Sequence, residues 1–478
     1  MDDSTEPRGD EARIERVLFR PAAPVPTQGA VSWPALVRGL LRSDFSHFPA
    51  AAYTTRVYRI PVRGRTLLMP SGPAQVREVL VSEHDNYPKS RVMQRILGPL
   101  IGNSMFVTNG DVWRRQRRMI DPTLELSRLK AFLPLMQGAV DDMVARMGQG
   151  GEMDLDQETM RVAADILCRC VFSEQVQPGM VDELAETFRR YQALVPAFLA
   201  LEGLGQPRWV LPLRQLRARR AGNRIRGRMA ALIRQRLDSG ARPEDLLTGL
   251  IEARDPQTGH RFTETELVDE VVFFFLAGHE TSASALSWSL YLLANDPQAQ
   301  ERARAEVLRE LGPAQADFSG LRRLRFTRDV FREALRLYPP VTAYIRDALG
   351  TARLAKRDVR AGDLVSVTPW FVHRSPRNWS HPDLFDPDRF QTEAGRASMR
   401  EAYVPFNTGP RVCSGAAFAT QESLLVLAAV LGRYRLHPVP GRAPQPAAWL
   451  TQRSRNGTWL RLEPLSRRTG RDQSRNTS

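Results

Sequence analysis

The segment Phe406-Asn-Thr-Gly-Pro-Arg-Val-Cys-Ser-Gly415 decides how this sequence is interpreted, because it places Cys413 directly before a predicted helix. The apolar segment 416–431 that follows has the length and composition of a buried helix. The free amides and the dipole of a helix N-terminus favour negative charge, which stabilises a thiolate. Cys413 is therefore the first candidate for a metal-binding residue.

The residues around Cys413 suit a flat cofactor that carries carboxylates and an iron ion. Gly409 and Gly415 allow tight backbone turns and a close approach to such a cofactor. Arg411 can pair with a carboxylate through its planar guanidinium, and Phe406 can pack against a ring near the sulfur. The alternative is a buried thiol that only fills space before a helix. Further motifs along the chain argue against that alternative.

A long helix is predicted between two strong boundary signals. Thr263-Glu-Thr-Glu266 has the form of a capping box, and Asp296-Pro297 is a stop signal. The segment between them has about 30 residues and would be roughly 45 Å long. Its middle is apolar on every side, which predicts a helix through the centre of the fold.

The centre of this helix reads Ala277-Gly-His-Glu-Thr-Ser282. A glycine, an acid and two hydroxyls are costly inside a buried helix unless they have a function. Thr281 can donate back to the Ala277 carbonyl, and Gly278 leaves room for a small ligand or a bulge. The alternative is a helix kink with satisfied polar groups. His279 has no second histidine at ligand spacing, which argues against a metal site there.

Further polar residues at characteristic spacing lie on both sides of the long helix. Glu-x-x-Arg pairs and basic helices are also common on protein surfaces. Each of these motifs, taken alone, could therefore be an ordinary surface feature. Trp113 and Arg117 are four residues apart and would face one side of a helix. The other residues are Glu333 and Arg336 before Pro339-Pro340, Arg346 shortly after it, and Arg389 in 385–390.

Together these motifs resemble those of the cytochrome P450 family, in order and spacing, from about Tyr53 to Leu462. The family has the pattern F-x-x-G-x-R-x-C-x-G around its haem-binding cysteine, and A-G-x-[DE]-T-[TS] in its long helix. The resemblance implies a mainly α fold with a small β region, and a long central helix across the distal haem face. It also implies haem b (heme b, iron protoporphyrin IX) as cofactor, with Cys413 as the iron ligand.

The resemblance assigns roles to the candidate residues. Thr281 and Glu280 would deliver protons to bound dioxygen, and Glu333, Arg336 and Arg389 would be structural. Haem contacts would come from Arg411, Phe406, Gly409, Gly415, Trp113, Arg117 and Arg346. Substrate would contact Phe274, Ala277 and Gly278, within a pocket formed by segments 91–106, 191–210 and 273–277.

The chain has 478 residues, 42% of them hydrophobic and 25% charged, which is ordinary for a globular protein. No linker or repeat divides it, so we expect a single domain over 21–465, with flexible ends at 1–20 and 466–478. The net charge of +15 comes almost wholly from arginine, since lysine occurs only at Lys89, Lys130 and Lys356. The arginines are scattered and no nucleic-acid module is present, so we expect no nucleic acid partner.

Three cysteines in so long a chain argue for a reducing compartment. The N-terminus has no apolar core of signal-peptide type. The longest apolar run, Val271 to Gly278, is too short to span a membrane. The sequence therefore predicts a cytoplasmic protein with no transmembrane segment.

The implied activity is insertion of one atom of dioxygen into a lipophilic small molecule, by hydroxylation or epoxidation. Electrons would come from a separate ferredoxin and its reductase, or from a flavodoxin-type donor, because no flavin or dinucleotide motif follows Cys413. A peroxide-driven relative and a haem sensor without turnover are the alternatives. The residues leave open which substrate, which donor and which oligomeric state apply.

Overall fold

The structure is a computed structural model that describes residues 18–29, 35, 38–39, 45–46, 48–62, 64–173, 179–203, 212–312, 317–448 and 450–465. Most of the N-terminal segment predicted to be flexible lies outside these residues, and so does the whole C-terminal one. Arg63 and part of the predicted pocket segment 191–210 also lie outside them. In the part of the chain that is described, no helix is long and apolar enough to cross a membrane.

Helices make up most of the described chain, as predicted for a mainly α fold. Between 111 and 310 the described residues are almost all helical, with β3 (Gly151–Asp154) as the one described strand. In chain order the helices are α1 (Ala51–Thr54), α2 (Pro73–Arg77), α3 (Arg91–Ile101), α4 (Gly110–Ile120), α5 (Leu126–Met147), α6 (Leu155–Phe172), α7 (Met180–Gln192), α8 (Val195–Gly203), α9 (Pro212–Ser239), α10 (Leu246–Glu252), α11 (Glu264–Ala294), α12 (Pro297–Leu311), α13 (Phe318–Arg323), α14 (Arg325–Leu337), α15 (Pro369–Arg374), α16 (Glu393–Ala402) and α17 (Ala416–Leu431).

Short strands form small sheets at the edges of the helical body. One sheet has the order β1-β2-β7-β4 and another the order β3-β11-β8, while β5-β6 and β9-β10 are two-stranded. The strands β1 and β2 are antiparallel, with Val57 opposite Pro70. The strands are β1 (Val57–Val62), β2 (Arg65–Pro70), β3 (Gly151–Asp154), β4 (Tyr344–Asp347), β5 (Ala352–Leu354), β6 (Arg357–Val359), β7 (Leu364–Val367), β8 (Tyr434–Pro438), β9 (Pro446–Ala448), β10 (Gln452–Ser454) and β11 (Trp459–Pro464).

The helix that begins at Pro73 changes its hydrogen bonding after one turn. Helix α2 ends at Arg77, and a π-helical turn, Glu78–Ser82, follows it. The Glu83 amide donates to the Glu78 carbonyl at 2.8 Å, five residues back. This wide turn brings the Leu80 carbonyl against Gly409, where a Cβ atom would lie 2.5 Å from the oxygen. The glycine is therefore required for the approach of the two segments.

The long helix α11 begins and ends where the sequence predicts. The Thr263 side chain accepts from the Glu266 amide, and the Glu266 side chain accepts from the Thr263 amide, which completes the capping box. Asp296 caps α12 in turn, with Pro297 in its first turn. From Leu267 to Ala294 most residues of α11 are buried, so the helix runs through the core, and α6 packs along it more extensively than any other described element.

Glu333 lies fully buried between two arginines. Its carboxylate accepts both guanidinium bonds from Arg336 at 2.8 Å and one from Arg389 at 2.9 Å. Burial alone would raise the pKa of Glu333, but the two arginines hold it below the ordinary value. The three residues predicted to be structural are thus in direct contact.

Both arginines also hold the irregular segment that follows α15. Arg336 donates to the carbonyls of His373, Pro382 and Leu384. Arg389 donates to the Ser380 carbonyl at 2.7 Å and also to the carbonyls of His381 and Leu384. The segment has no regular hydrogen bonding of its own, so these bonds fix its path towards the Cys413 loop.

Replacing Arg389 by alanine should destabilise the protein strongly, because it leaves the buried carboxylate of Glu333 with one cationic partner and removes the donor of the Ser380 carbonyl. We expect a loss of about 3–5 kcal/mol in the free energy of unfolding, measured by chemical denaturation followed by circular dichroism. The matched control is Arg353→Ala on the exposed β5-β6 hairpin, whose partner Asp358 lies 3.9 Å away. That change should cost at most about 1 kcal/mol, and equal losses in the two variants would contradict the assignment.

Candidate active site

A cavity of about 360 Å³ lies between α11 and the Cys413 loop. Elements that are far apart in the sequence supply its wall: α4, α11, β4 and the loop itself. We call it the central cavity. Of the predicted site residues it is lined by Trp113, Arg117, Phe274, Ala277, Gly278, Glu280, Thr281, Arg346, Phe406, Arg411, Cys413 and Gly415.

Gly409, also predicted to contact the cofactor, is not part of this wall. It adopts a left-handed conformation with φ of 69°, and its close neighbours in the structure are Leu80 and Val81. A contact between Gly409 and the cofactor stays a prediction.

The Cys413 loop is folded tightly on itself. The Cys413 amide donates to the Phe406 carbonyl at 2.9 Å, and the Val412 amide donates to the Gly409 carbonyl at 3.1 Å. Cys413 is exposed only in the sense that it faces the cavity, because protein atoms surround it on the other sides. Burial raises the pKa of its thiol, while the Gly415 amide and Arg117 act in the opposite direction. Binding to a cationic metal would deprotonate such a thiol outright.

The buried hydroxyl of Tyr344 anchors the start of this loop. It donates towards the carbonyls of Val404 and Pro405, at 2.9 and 2.8 Å, and accepts from the Asn407 amide at 2.9 Å. Phe406 is therefore held from both sides by one residue of β4. Sequence reasoning missed Tyr344, because nothing in the local pattern of β4 relates it to residues sixty positions away.

One end of the central cavity carries a buried cluster of positive charge. Lys89, Arg346 and Arg411 line it, and the Lys89 ammonium and Arg411 guanidinium lie 5.6 and 5.0 Å from the centre of the Trp113 ring. Among the described residues none of the three cations forms an ion pair, and the Nε atoms of Arg346 and Arg411 have no hydrogen-bond partner. Arg117 is neutralised in part by Asp121, 2.6 Å away. We call Lys89, Arg117, Arg346 and Arg411 the basic cluster.

The three cations, which form no ion pair among the described residues, repel one another electrostatically. Burial, together with Arg411, lowers the pKa of Arg346 to about 10. Burial lowers the pKa of Lys89 well below its usual value, and Arg346 and Arg411 lower it further. Buried charges of one sign are costly unless an anion compensates them, so this end of the cavity fits a ligand with carboxylates. Lys89 was not predicted, although its rarity as a lysine in this chain was a usable signal.

Thr281 and Gly278 lie where α11 borders the cavity. The Thr281 hydroxyl donates to the Ala277 carbonyl at 2.6 Å, as predicted, so its oxygen lone pairs remain free to accept. Gly278 lets α6 approach closely, since a Cβ atom there would lie 3.0 Å from a methyl carbon of Leu167. The helix continues through this point without a bulge.

Glu280 is buried, and its carboxyl group has polar partners from two other elements. Gln192, the last residue of α7, donates to one of its oxygens, and the Arg453 guanidinium lies 3.5 Å from the other. Arg453 is bound in turn by Asp156, at 2.6 Å. Burial raises the pKa of Glu280 to about 7, although Arg453 opposes the shift. The carboxyl group can therefore gain and lose a proton near neutral pH.

His279 points away from this proton-exchanging group. Its Nδ1 atom bonds the Phe275 carbonyl, and its ring stacks on Phe275 with centroids 4.7 Å apart. Burial lowers the pKa of His279 to about 4, so the ring is neutral at pH 7. It belongs to the packing between α11 and α7.

Most of the remaining cavity wall is apolar. The rings of Phe106 and Phe273 lie 5.4 Å apart and close one side. The described parts of the predicted pocket segments contribute Met93, Leu97, Leu100, Ile101, Met105, Phe106, Val195, Leu199, Phe273, Phe274, Leu276 and Ala277. A ligand with few polar groups suits such a surface.

Comparisons with known proteins agree with this architecture. The family model of cytochrome P450 matches residues 28–455. Cyclooctatin synthase of Streptomyces melanosporofaciens is 31% identical over 398 residues, which cover 81% of this chain and 84% of that protein. Cyclooctat-9-en-7-ol 5-monooxygenase of the same organism is 32% identical over 377 residues, covering 77% and 80%. The crystal structure of the cytochrome P450DA heme domain has a TM-score of 0.76 and 23% identity, covering 94% of this chain and 99% of that one.

The chain therefore belongs to the cytochrome P450 family. It has the fold of that family's haem domains, and the predicted family and fold are confirmed. Membership makes it a haem-thiolate monooxygenase, an oxidoreductase that uses dioxygen and receives electrons from a redox partner. The basic cluster and the cavity-facing thiol are consistent with a haem, whose two propionates and iron need such partners.

Arg346→Leu should have opposite effects on the haem-free and haem-bound protein. Without haem the change relieves repulsion within the basic cluster, so the midpoint of thermal unfolding should equal or exceed that of the haem-free wild type. With haem it removes a charge-assisted bond worth about 1.5–3 kcal/mol, so haem should transfer to apomyoglobin roughly tenfold to a hundredfold more readily. The control is Arg360→Leu, an exposed arginine distant from the cavity wall. Lower stability of the haem-free variant would contradict the role of Arg346 as a propionate ligand.

Proposed function

We propose that this monooxygenase binds haem b through Cys413 and hydroxylates or epoxidises a lipophilic small molecule. The observation that carries the proposal is that a thiol, a basic cluster with three cations that form no ion pair among the described residues, and an acid–alcohol pair all line one central cavity. Apart from Arg411, which lies in the same loop as Cys413, these groups come from distant parts of the sequence. Their common placement is what a haem-thiolate site with its own proton supply requires.

The residues of the central cavity would act as follows. Bound haem supplies activation of dioxygen and insertion of one of its atoms into a C–H or C=C bond. Cys413 would hold the iron, with Phe406 against the porphyrin. Lys89, Arg346 and Arg411 would neutralise the propionates. The apolar wall would exclude water and orient the substrate.

The proton supply would run through α11. Thr281 already donates its hydrogen to the Ala277 carbonyl, so its oxygen can accept from a water in the cavity and hold that water in place. Glu280 carries a proton part of the time at neutral pH and can return to this state after giving it up. Gln192 and Arg453 would keep its carboxyl group oriented in both states.

We propose a neutral or weakly polar substrate, because the segments predicted to form the substrate pocket contribute only apolar side chains to the described wall. The name of the relative cyclooctat-9-en-7-ol 5-monooxygenase describes action on an unsaturated alcohol. A panel of terpenoid alcohols, fatty acids and steroids, screened for a substrate-induced change of haem spin state, would identify the class.

A separate ferredoxin or flavodoxin-type donor would dock on the Cys413 side. A groove of about 500 Å³ lies there, against Phe406 and the start of α17. Arg322, Arg328 and Arg332 lie along its edge, which suits an acidic protein surface. The path from this groove to the thiol is short, since Phe406 lines both the groove and the central cavity.

We propose that residues 21–465 form one domain. The main cluster of buried apolar side chains includes members from Phe45 to Leu462, and a second cluster, with members from Val57 to Val404, lies within the same stretch of the sequence. Neither cluster belongs to a separate part of the described chain, which supports one domain. The cytoplasmic location stays a prediction from the cysteine content.

The iron ligand can be tested with carbon monoxide. The dithionite-reduced wild type should give the strongly red-shifted Soret band of a thiolate-bound haem, and Cys413→His should lose it while retaining haem. The matched control is Cys168→Ala, which removes a buried thiol of α6 outside the cavity wall and should leave the band unchanged. If well-folded, haem-loaded wild type lacks the band, the iron is held by another ligand.

Thr281→Ala separates the monooxygenase from a peroxide-driven relative and from a haem sensor. In a monooxygenase we expect product formation to fall by roughly a hundredfold or more, with most electrons recovered as hydrogen peroxide and an unchanged spin shift. The matched control is Ser289→Ala, because Ser289 makes the same bond to the carbonyl four residues earlier but lies outside the cavity. Unchanged product from added peroxide alone would favour the peroxide-driven relative. Wild type that never forms product would favour the sensor.

A further inference from the structure

Two consecutive acids of α11 hold the backbone of the loop 102–109, which joins α3 to α4. The Asp269 carboxylate accepts from the Asn103 amide at 2.7 Å. Both oxygens of Glu270 accept from the Met105 amide, at 2.9 and 3.1 Å. Because hydrogen bonds to an ionised acceptor are roughly twice as strong as neutral ones, α11 determines the path of this loop.

The two acids differ in their other partners. Arg226 of α9 donates to Asp269 at 2.6 Å, and Gly102 packs so closely against the Asp269 carboxylate that a Cβ atom there would have no room. Asp269 is therefore a neutralised anchor for the start of the loop. Glu270 is 0% exposed, and among the described residues no cation forms an ion pair with it. Its bond to Met105 thus depends more on its own charge.

Lys89 binds the same loop residue from the other side. Its ammonium donates to the Met105 carbonyl. Its backbone also exchanges two hydrogen bonds, at 2.9 and 3.0 Å, with the side chain of Asn109 at the end of the loop. The two peptide groups of Met105 are thus bound by a buried acid and a buried base. We call Lys89, Met105 and Glu270 the Met105 clamp.

The Met105 clamp connects the two differently suited parts of the central cavity. Lys89 belongs to the basic cluster, while Met105 and its neighbour Phe106 belong to the apolar wall. The Phe106 ring lies 5.4 Å from the ring of Phe273 on α11. A shift of the Met105 backbone would move Phe106 directly, because the two residues share a peptide bond.

The charges of the acid and the base in this clamp depend on each other. Burial lowers the pKa of Lys89, Arg346 and Arg411 lower it further, and Glu270 acts in the opposite direction. Burial raises the pKa of Glu270 to about 8, while the Met105 amide and Lys89 oppose the shift. An anion beside the two arginines would offset their repulsion of Lys89. It would thereby favour the ammonium and, through it, the carboxylate.

The remaining charged neighbours favour the neutral forms. Asp269 and Glu266, on the same helix, raise the pKa of Glu270, and Arg117 lowers that of Lys89. Each of these three neighbours has a partner of opposite charge no more than 2.8 Å away. An anion in the cavity would therefore act mainly on the two arginines that form no ion pair among the described residues.

We propose that Glu270 is a positioning residue for the substrate wall, and that the Met105 clamp couples carboxylates bound at the basic cluster to the position of Phe106. Carboxylates beside Arg346 and Arg411 keep Lys89 and Glu270 charged, and both then bind Met105 more strongly. Glu270 itself is not part of the cavity wall. This inference rests on the proposed function, which supplies both the haem propionates and the substrate.

Hydrogen–deuterium exchange of the haem-bound protein tests the clamp without turnover. Glu270→Gln replaces one acceptor oxygen by a donor, so the Met105 amide should exchange at least about tenfold faster than in wild type. The matched control is Glu306→Gln, because Glu306 is a buried glutamate outside the cavity wall that accepts the amides of Phe326 and Thr327, each at 2.8 Å. It should accelerate exchange at those two amides and leave Met105 unchanged. Unchanged Met105 exchange in Glu270→Gln, or equal acceleration there in both variants, would overturn the proposal.

Resonance Raman spectroscopy of the haem-bound protein tests the coupling to the basic cluster, because the bending bands of the propionates respond to their hydrogen bonds. Glu270→Gln removes the negative charge that acts on Lys89 and should shift one of these bands. Lys89→Met should shift the same band, and the double variant should match Lys89→Met. Glu306→Gln should retain wild-type bands. Wild-type bands in Glu270→Gln, or shifts that simply add in the double variant, would contradict the coupling.

Titration with the compound that gives the largest spin shift tests the effect on the substrate wall. In Glu270→Gln its dissociation constant should rise roughly threefold to tenfold, while the spin shift at saturation and kcat stay close to those of wild type. If Glu270 acts through Phe106, then the same change in a Phe106→Ala background should have little further effect. An equal loss of affinity in both backgrounds would refute the positioning role.

Two kinds of failure give different results. Wild type that lacks the thiolate band with carbon monoxide, or that never forms product, would overturn the proposed function. A normal band and normal product formation in wild type, together with wild-type exchange at Met105 in Glu270→Gln, would overturn this inference alone.

Discussion

The charge of Glu333 is the constraint on which the active-site geometry depends. A fully buried carboxylate must be neutralised, and Arg336 and Arg389 do this from two different segments. Their remaining donors bind carbonyls of the chain between α15 and the Cys413 loop. The position of the Cys413 loop is therefore determined by an ion network whose residues do not line the cavity. The Tyr344 hydroxyl then fixes the start of this loop through its hydrogen bonds to Val404, Pro405 and Asn407.

Burial has opposite consequences at the two ends of the central cavity. At the end near Trp113 it leaves Arg346 and Lys89 close to other cations and in need of an anion. At the α11 end it raises the pKa of Glu280 and Glu422, so both acids can hold protons. One physical effect, the loss of hydration, thus prepares one end for a carboxylate-bearing cofactor and the other for proton transfer.

The sequence predicted the parts of the site that are encoded locally. The capping box at Thr263 and the residues around Cys413 could be found because their spacing along the chain carries the information. Tyr344 and Lys89 were missed because their contacts are set by tertiary packing between distant segments. Gly409 was predicted as a cofactor contact, but the sequence alone does not show that its φ of 69° and its packing against Leu80 also require a glycine.

The two buried acids of the cavity differ in what holds them. Glu280 is bound by Gln192 at the end of α7 and by Arg453 of β10, and α7 also borders the cavity through Phe188. Among the described residues Ser282 is the one side chain that hydrogen-bonds the Glu422 carboxyl group, and the two residues join the core helices α11 and α17. The orientation of the Glu280 carboxyl group therefore depends on the position of α7, whereas that of Glu422 depends on the packing of α11 against α17.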